Sequence, residues 1–148
     1  MAQPKEGEIV HVEFHSNDPV RTKQFYGQVF GYKFEDIPAM NYTMWKAPGG
    51  SAGGLMKVLE NRPPQVLNYL LANDIERTLR KVSAAGGAIL QPKMEIQGQG
   101  WWALFQEPGG TVMALFQNLQ RPQPARKPAA RKASKKTAKK ASKGRRKK

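Results

Sequence analysis

The chain has no cysteine among its 148 residues, which removes a disulfide framework, a thiolate metal centre and a thiol nucleophile together. It has only two histidines, His11 and His15, so imidazole chemistry is confined to one short stretch. No apolar run approaches the ~20 residues of a membrane span. The opening MAQPKEGEIV also lacks the apolar centre of a signal peptide. A soluble cytoplasmic protein with no membrane partner is expected. Acidic residues are missing altogether from residues 121–148, which hold 14 of the 25 Lys and Arg. Subtracting those 14 leaves the body with 11 basic against 11 acidic side chains, so the tail carries the whole formal charge of +14.

The tail, RPQPARKPAARKASKKTAKKASKGRRKK, also lacks Leu, Ile, Val, Met and every aromatic residue. It can bury nothing and is expected to be disordered alone. Its Lys-Ala-Ser pattern resembles the terminal tails of linker histones and bacterial nucleoid proteins. Polycations of this kind condense on phosphate backbones with strongly salt-dependent, sequence-blind affinity. The residues expected to meet nucleic acid or another polyanion are Arg131, Lys132, Lys135, Lys136, Lys139, Lys140, Lys143, Arg145, Arg146, Lys147 and Lys148. Nucleoid association would follow, while a merely solubilising extension is the plainer alternative.

What the body does contain is HVEFH at 11–15. On an extended chain His11, Glu13 and His15 share one face, and imidazole with carboxylate suits zinc or manganese. One strand cannot supply the site alone, because His11 and His15 stand about 13 Å apart at roughly 3.3 Å per residue. His15, at the strand end, reads as a surface or turn residue.

The body also repeats itself. HSNDPVRTKQFYGQVFGYKF (15–34) matches LANDIERTLRKVSAAGGAIL (71–90) at an offset of 56, and WKAPGGSAGGLMK matches FQEPGGTVMALFQ at an offset of 60. Each copy opens on an apolar strand, IVHVEFH or VLNYLLA. In the first, Val10, Val12 and Phe14 lie opposite the histidines. Asp18 and Asp74 are placed to cap helices, with Pro19 at the first helical position. Ile75, Leu79 and Val82 form a core-facing stripe in the second helix; Phe25 and Val29, with Tyr26 and Phe30, are its counterpart in the first. Gly31 and the pair Gly86, Gly87 end the helices, and each PGG turn closes a hairpin such as that of YTMWKA or WWALFQ. QPKMEIQGQG (91–100) reads as a mobile rim loop or lid, or as a plain exposed connection. The expected class is α+β: two βαβββ modules, about 7–60 and 64–118, form a cup-shaped mixed sheet with flanking helices in a domain at 1–120. The basic tail at 121–148 follows it.

These features resemble the vicinal oxygen chelate superfamily, which includes glyoxalase I, bleomycin-resistance proteins and extradiol dioxygenases. The resemblance rests on HVEFHSNDPVRTKQFYGQVFGYKF, NDIERTLRKVSAAGGAIL and the two PGG hairpins. It implies a cup, modules that often pair across chains as a homodimer, and, in metal-dependent members, one ligand from the first and last strand of each module. Those positions fall on His11, Gly54, Leu67 and Ala114. A one-residue slip in the last strands reaches only Gly53, Leu55, Met113 and Leu115, and the nearest acids, Glu60 and Glu107, are distant. Three of the four cannot bind an ion, so no cofactor and no divalent metal are expected.

The repeat then places Tyr69 opposite Glu13 and gives an apolar lining from Tyr42, Met44, Gly54, Met56, Leu67, Tyr69, Trp102, Ala114 and Phe116. Val112 and Ala52 should share that face. For the aromatic residues core packing is the plainer role, and Trp101 and Trp102, being adjacent, face opposite sides. His11 and Glu13 are the candidate catalytic pair. The plainer readings are a half-buried histidine satisfied by Glu13 and a solvated carboxylate. The expected function is a metal-free glyoxalase-like domain that binds a small apolar or aromatic molecule, tethered by its tail. The alternatives are a lyase, isomerase or dioxygenase-like enzyme using His11 and Glu13, without a metal or with an atypical metal site, and a dimeric chromatin-associated scaffold.

Overall fold

The computed structural model describes residues 2–119; the polybasic tail and its phosphate-binding candidates lie outside the described residues. The first module is β1 (Ile9–Ser16), α1 (Pro19–Phe30), β2 (Lys33–Ile37), a single 3-10 turn (Pro38–Met40), β3 (Tyr42–Lys46) and β4 (Ala52–Lys57). The second is β5 (Gln65–Leu71), α2 (Ile75–Ala84), β6 (Ala88–Ile96), β7 (Gly100–Gln106) and β8 (Val112–Asn118). All eight strands join one open mixed sheet in the order β2-β3-β4-β1-β5-β8-β7-β6. Among the described residues no helix is long and apolar enough to cross a membrane.

The repeated Asn-Asp and Arg-Thr pairs have a local cause. Asp18 accepts the backbone N–H of Arg21, and Asp74 that of Arg77, both at 3.1 Å. Thr22 and Thr78 each donate back to the carbonyl of the same aspartate, at 3.1 and 3.0 Å. Each motif thus satisfies donors that a helix start leaves unpaired. Gly31, at φ 71°, closes α1 in the left-handed conformation that glycine adopts without penalty.

The two helices pack differently. α2 buries Ile75 and Leu79 against Ala72, Ala103, Phe105 and Leu115, each large side chain contributing about 1.5–3 kcal/mol. α1 buries no residue. Phe25, Val29 and Phe30, expected to face the core, are more than half exposed. Proximity to the sheet falls instead to Tyr26, which stacks 5.1 Å from Phe14. Phe14 also stacks on Trp45 at 4.9 Å, so on the helix side of module one the contact is ring on ring.

The seam between modules is the β1–β5 pair, antiparallel, with His11 beside Tyr69 and Glu13 beside Leu67. On its other side β1 runs parallel to β4, with Glu13 beside Gly54, and β5 runs parallel to β8, with Tyr69 beside Ala114. The chemistry-bearing residues therefore meet at the middle of the sheet. Residues 91–100 are not a loop: β6 continues to Ile96 in antiparallel pairing with β7, and only the turn before Gly100 lies outside the two strands. The strand survives Pro92 because β6 is the sheet edge, where a missing N–H costs no ladder bond.

Candidate functional site

Alternation along β1 sends Phe14 to the helix side and Glu13 and His15 into the sheet's concave face. Contrary to the reading of His15 as a surface residue, it is only 3% exposed, and Glu13, read as solvated, is 4% exposed. Side chains two apart on a strand stand ~6.6 Å apart at their bases, a gap these two close: His15 Nε2 lies 2.7 Å from Glu13 Oε1. The Tyr69 hydroxyl donates to the same oxygen at 2.9 Å. The Tyr42 hydroxyl donates to Oε2 at 2.6 Å, and His11 Nε2 lies 2.7 Å from the Tyr42 oxygen.

Burial by itself raises the pKa of Glu13, because an ionised carboxyl loses its water. Hydrogen bonding from His11, His15, Tyr42 and Tyr69 outweighs that and holds it down at about 2. His11 Nε2 is 3.6 Å from Oε2, too far for a direct bond, so its influence passes through the Tyr42 hydroxyl. Burial, followed by the charge and hydrogen bond of Glu13, pushes both Tyr42 and Tyr69 far above the ordinary tyrosine range. Both phenols keep their protons.

These states assign the ring protons. An ionised carboxylate only accepts, so the one Tyr42 proton goes to Glu13, and the Tyr42 oxygen must accept from His11 Nε2–H. That leaves Nδ1 of a neutral His11 as a bare lone pair. His11 lines the cavity, and Nδ1 has no partner among the described residues and is not sealed from solvent. His15 Nε2–H likewise donates to Glu13, while its Nδ1 is buried without a partner among the described residues.

The cavity above this network measures about 450 Å³. Of the lining residues expected from the sequence, Tyr42, Met44, Tyr69 and Phe116 border it. Leu67 and Ala114 are fully buried in the cluster beneath, and Trp102 packs against that cluster with Val112 rather than bordering the space. Met56, beside His15 in the sheet, does not border it either. Trp101 packs on the α2 side and Trp45 stacks on Phe14. Val10, expected on the helix side, borders the cavity, because the register shifts between Ile9 and His11 and a bulge re-aims the side chain. Pro4, Ile37, Met40, Leu71, Ile96, Gln99 and Asn118 complete the wall and were not expected. Period two along β5 and β8 could have found Leu71 and Asn118; the turn residues Met40 and Gln99 left no periodic signal.

The four family ligand positions do not fit an ion. His11 stands in one, while Leu67 and Ala114 offer no donor atom. At Gly54 a Cβ would run into the Tyr42 hydroxyl, so the space a ligand side chain would need is taken by the phenol from β3. Among the described residues no group of three His, Asp or Glu is placed to hold a metal.

The chain matches, over residues 8–48, a family described as bleomycin resistance protein-like N-terminal. It is 30% identical over 89 residues to a glyoxylase-like domain-containing protein of Didymella fabae, covering 55% of this chain and 70% of that protein. It is 25% identical over 114 residues to a Mycobacterium bovis protein named as a candidate glyoxylase, CFP32, covering 72% of this chain. The chain spans only 44% of that relative's length. A glyoxalase/bleomycin resistance protein/dioxygenase superfamily member from Vibrio splendidus superposes with a TM-score of 0.55 at 16% identity, covering 74% of this chain and 97% of that one. Duplicated βαβββ modules, a seam of antiparallel first strands and these matches together make the chain a member of the vicinal oxygen chelate superfamily, that of the glyoxalases and bleomycin-resistance proteins.

Proposed function

We propose that this domain binds a small apolar or aromatic molecule in its cup without a resident metal ion, as a homodimer whose polybasic tail tethers it to nucleic acid or another polyanion. The observation that carries the reading is the cup itself. Its volume of about 450 Å³ falls in the range of small-molecule sites. Its walls are mostly apolar, broken by the amides of Gln99 and Asn118, and its ionisable groups converge on one floor. The filling of Gly54 by the Tyr42 ring supports the absence of an ion.

Methionine methyl NMR tests the binding. Met40 and Met44 border the cavity, whereas Met113 packs on the helix side. Titration with naphthalene or indole should move the first two and leave the third; no saturable shift of Met40 or Met44 refutes the reading. Deleting residues 121–148 should abolish binding to bulk DNA at low salt, because the body is electrically neutral; retained binding refutes the tether.

A second reading, an acid–base enzyme without a metal, is favoured by one observation. The lone pair of His11 Nδ1 borders the cavity while Nε2–H is held by Tyr42 and, through it, Glu13. His11 could take a proton at Nδ1 and keep the new charge 3.6 Å from a carboxylate. Turnover of an identified substrate that persists in His11→Ala removes this reading.

A further inference from the structure

We propose that the cup floor selects ligands whose head group is a protonated amine, with the apolar or aromatic body held by the walls. This rests on the reading of the cup as a small-molecule site and names the class of molecule it takes.

Glu13 Oε1 takes the His15 N–H and the Tyr69 O–H, and Oε2 takes the Tyr42 O–H. The Nε2–H of His11 is spent on the Tyr42 oxygen. Every polar hydrogen of the floor is thus directed at the carboxylate or at the relay leading to it. What the floor can offer a ligand is lone pairs: His11 Nδ1, the Tyr69 oxygen, and the remaining acceptor capacity of Tyr42 and Glu13.

The floor is built on an ionised carboxylate, Glu13. Among the described residues no lysine or arginine borders the cavity, and the only groups within ion-pair distance of Glu13 are the two histidines. A carboxylate or phosphate head would face acceptors and like charge in a poorly solvated place. An ammonium brings two or three N–H donors to a floor with none left over. Tyr42, Tyr69 and Phe116 border the same space, and aromatic faces attract cations further. The side-chain donors at the wall are the amides of Gln99 and Asn118. Gln99 lies 3.4 Å from the Met40 sulfur, so its amide is engaged with the opposite rim.

The test holds the body of the ligand fixed and changes its head. Full-length protein labelled at its methionine methyls is titrated near pH 8, where imidazole is ordinarily neutral, with 2-phenylethylamine, 2-phenylethanol, ethylbenzene and phenylacetate. The Met40 and Met44 methyls report the cup alone, which matters because the cationic tail would draw phenylacetate elsewhere on the chain. The amine should saturate these shifts at a concentration at least about tenfold lower than the alcohol or the hydrocarbon, and phenylacetate should leave them unmoved. Phenylacetate binding as tightly as the amine, or the amine no tighter than ethylbenzene, overturns the head-group assignment and leaves the binding reading intact. Failure of all four to move the methyls overturns both. In Glu13→Gln, if the Met113 methyl shows a native fold, the advantage of the amine over ethylbenzene should vanish; its persistence would place the selectivity elsewhere than the floor.

Discussion

Replacing Glu13 by glutamine tests the central claim about this site, that one buried carboxylate organises everything around it. Its carboxyl is lowered from an ordinary 4.5 to about 2, which at ~1.36 kcal/mol per unit makes the ionised form worth roughly 3 kcal/mol to the fold. A protonated glutamate and a glutamine are close in shape and both neutral, so the variant stands in for the acid form at every pH. Because the folded value is depressed, the carboxylate's contribution is fully present above about pH 4.5 and is lost as pH falls towards 2. Glu13→Gln should therefore be less stable than the parent by roughly 3 kcal/mol at neutral pH, a drop of roughly 2 M in urea midpoint. That gap should close as the pH is lowered from about 4.5 to 2. Urea titrations followed by tryptophan fluorescence across that range measure it. A gap that stays constant with pH, or a variant as stable as the parent at neutral pH, would show that Glu13 is not held as described. The substitution also reverses the relay: the amide N–H donates to the Tyr42 oxygen, the Tyr42 hydroxyl turns to His11 Nε2, and the ring proton moves to Nδ1. Nitrogen-15 shifts of the imidazole check that reversal.

Tyr69→Phe removes one of the two donors to Oε1 and should cost about 1–3 kcal/mol. With less to hold the carboxyl down, the acid-unfolding midpoint should rise in pH; an unchanged midpoint contradicts the assigned bond. Gly54→Ala forces a methyl into the Tyr42 ring and should cost about 1–3 kcal/mol by overpacking, with the Tyr42 ring signals displaced in the NMR spectrum. Asp74→Ala removes the cap on α2 and should lower stability by about 1 kcal/mol, read as a lower thermal midpoint.

The parts of this architecture legible from sequence were those with a local cause. The duplicated Asn-Asp and Arg-Thr pairs announced two capped helices because capping is a contact within one turn, and the offset of 56 linked Glu13 to Tyr69, which the fold brings to 2.9 Å. What was not legible depended on partners far away in sequence. Nothing local to His15 says that β4 and β5 flank it and close it from water. The shift that turns Val10 into the cup arises in the pairing of β1 with β5, whereas alternation assumes an unbroken strand. The exposure of Phe25 and Val29 is a tertiary fact as well: their spacing on α1 matches a core stripe, but the ring of Tyr26 on Phe14 sets the side on which the helix lies. The polar centre was hidden for a similar reason. Glu13 reads as a solvated strand carboxylate until two tyrosines, 29 and 56 residues away, are folded onto it.

The antiparallel pairing of β1 with β5 has a consequence for how the site can fail. These are the two middle strands of eight, and they carry His11, Glu13, His15 and Tyr69 between them. Edge strands such as β2 and β6 can fray and take the wall residues Ile37 and Ile96 with them, while the four residues on the middle pair stay in place. The group of Glu13, His15 and Tyr69 is lost only when the protein comes apart along its midline, the event with the highest free energy available to it. The amides of Leu67 and Tyr69 should be among the slowest to exchange. A bound molecule would then act as a bolt through the hinge line of the whole domain, slowing its complete unfolding instead of quieting one loop.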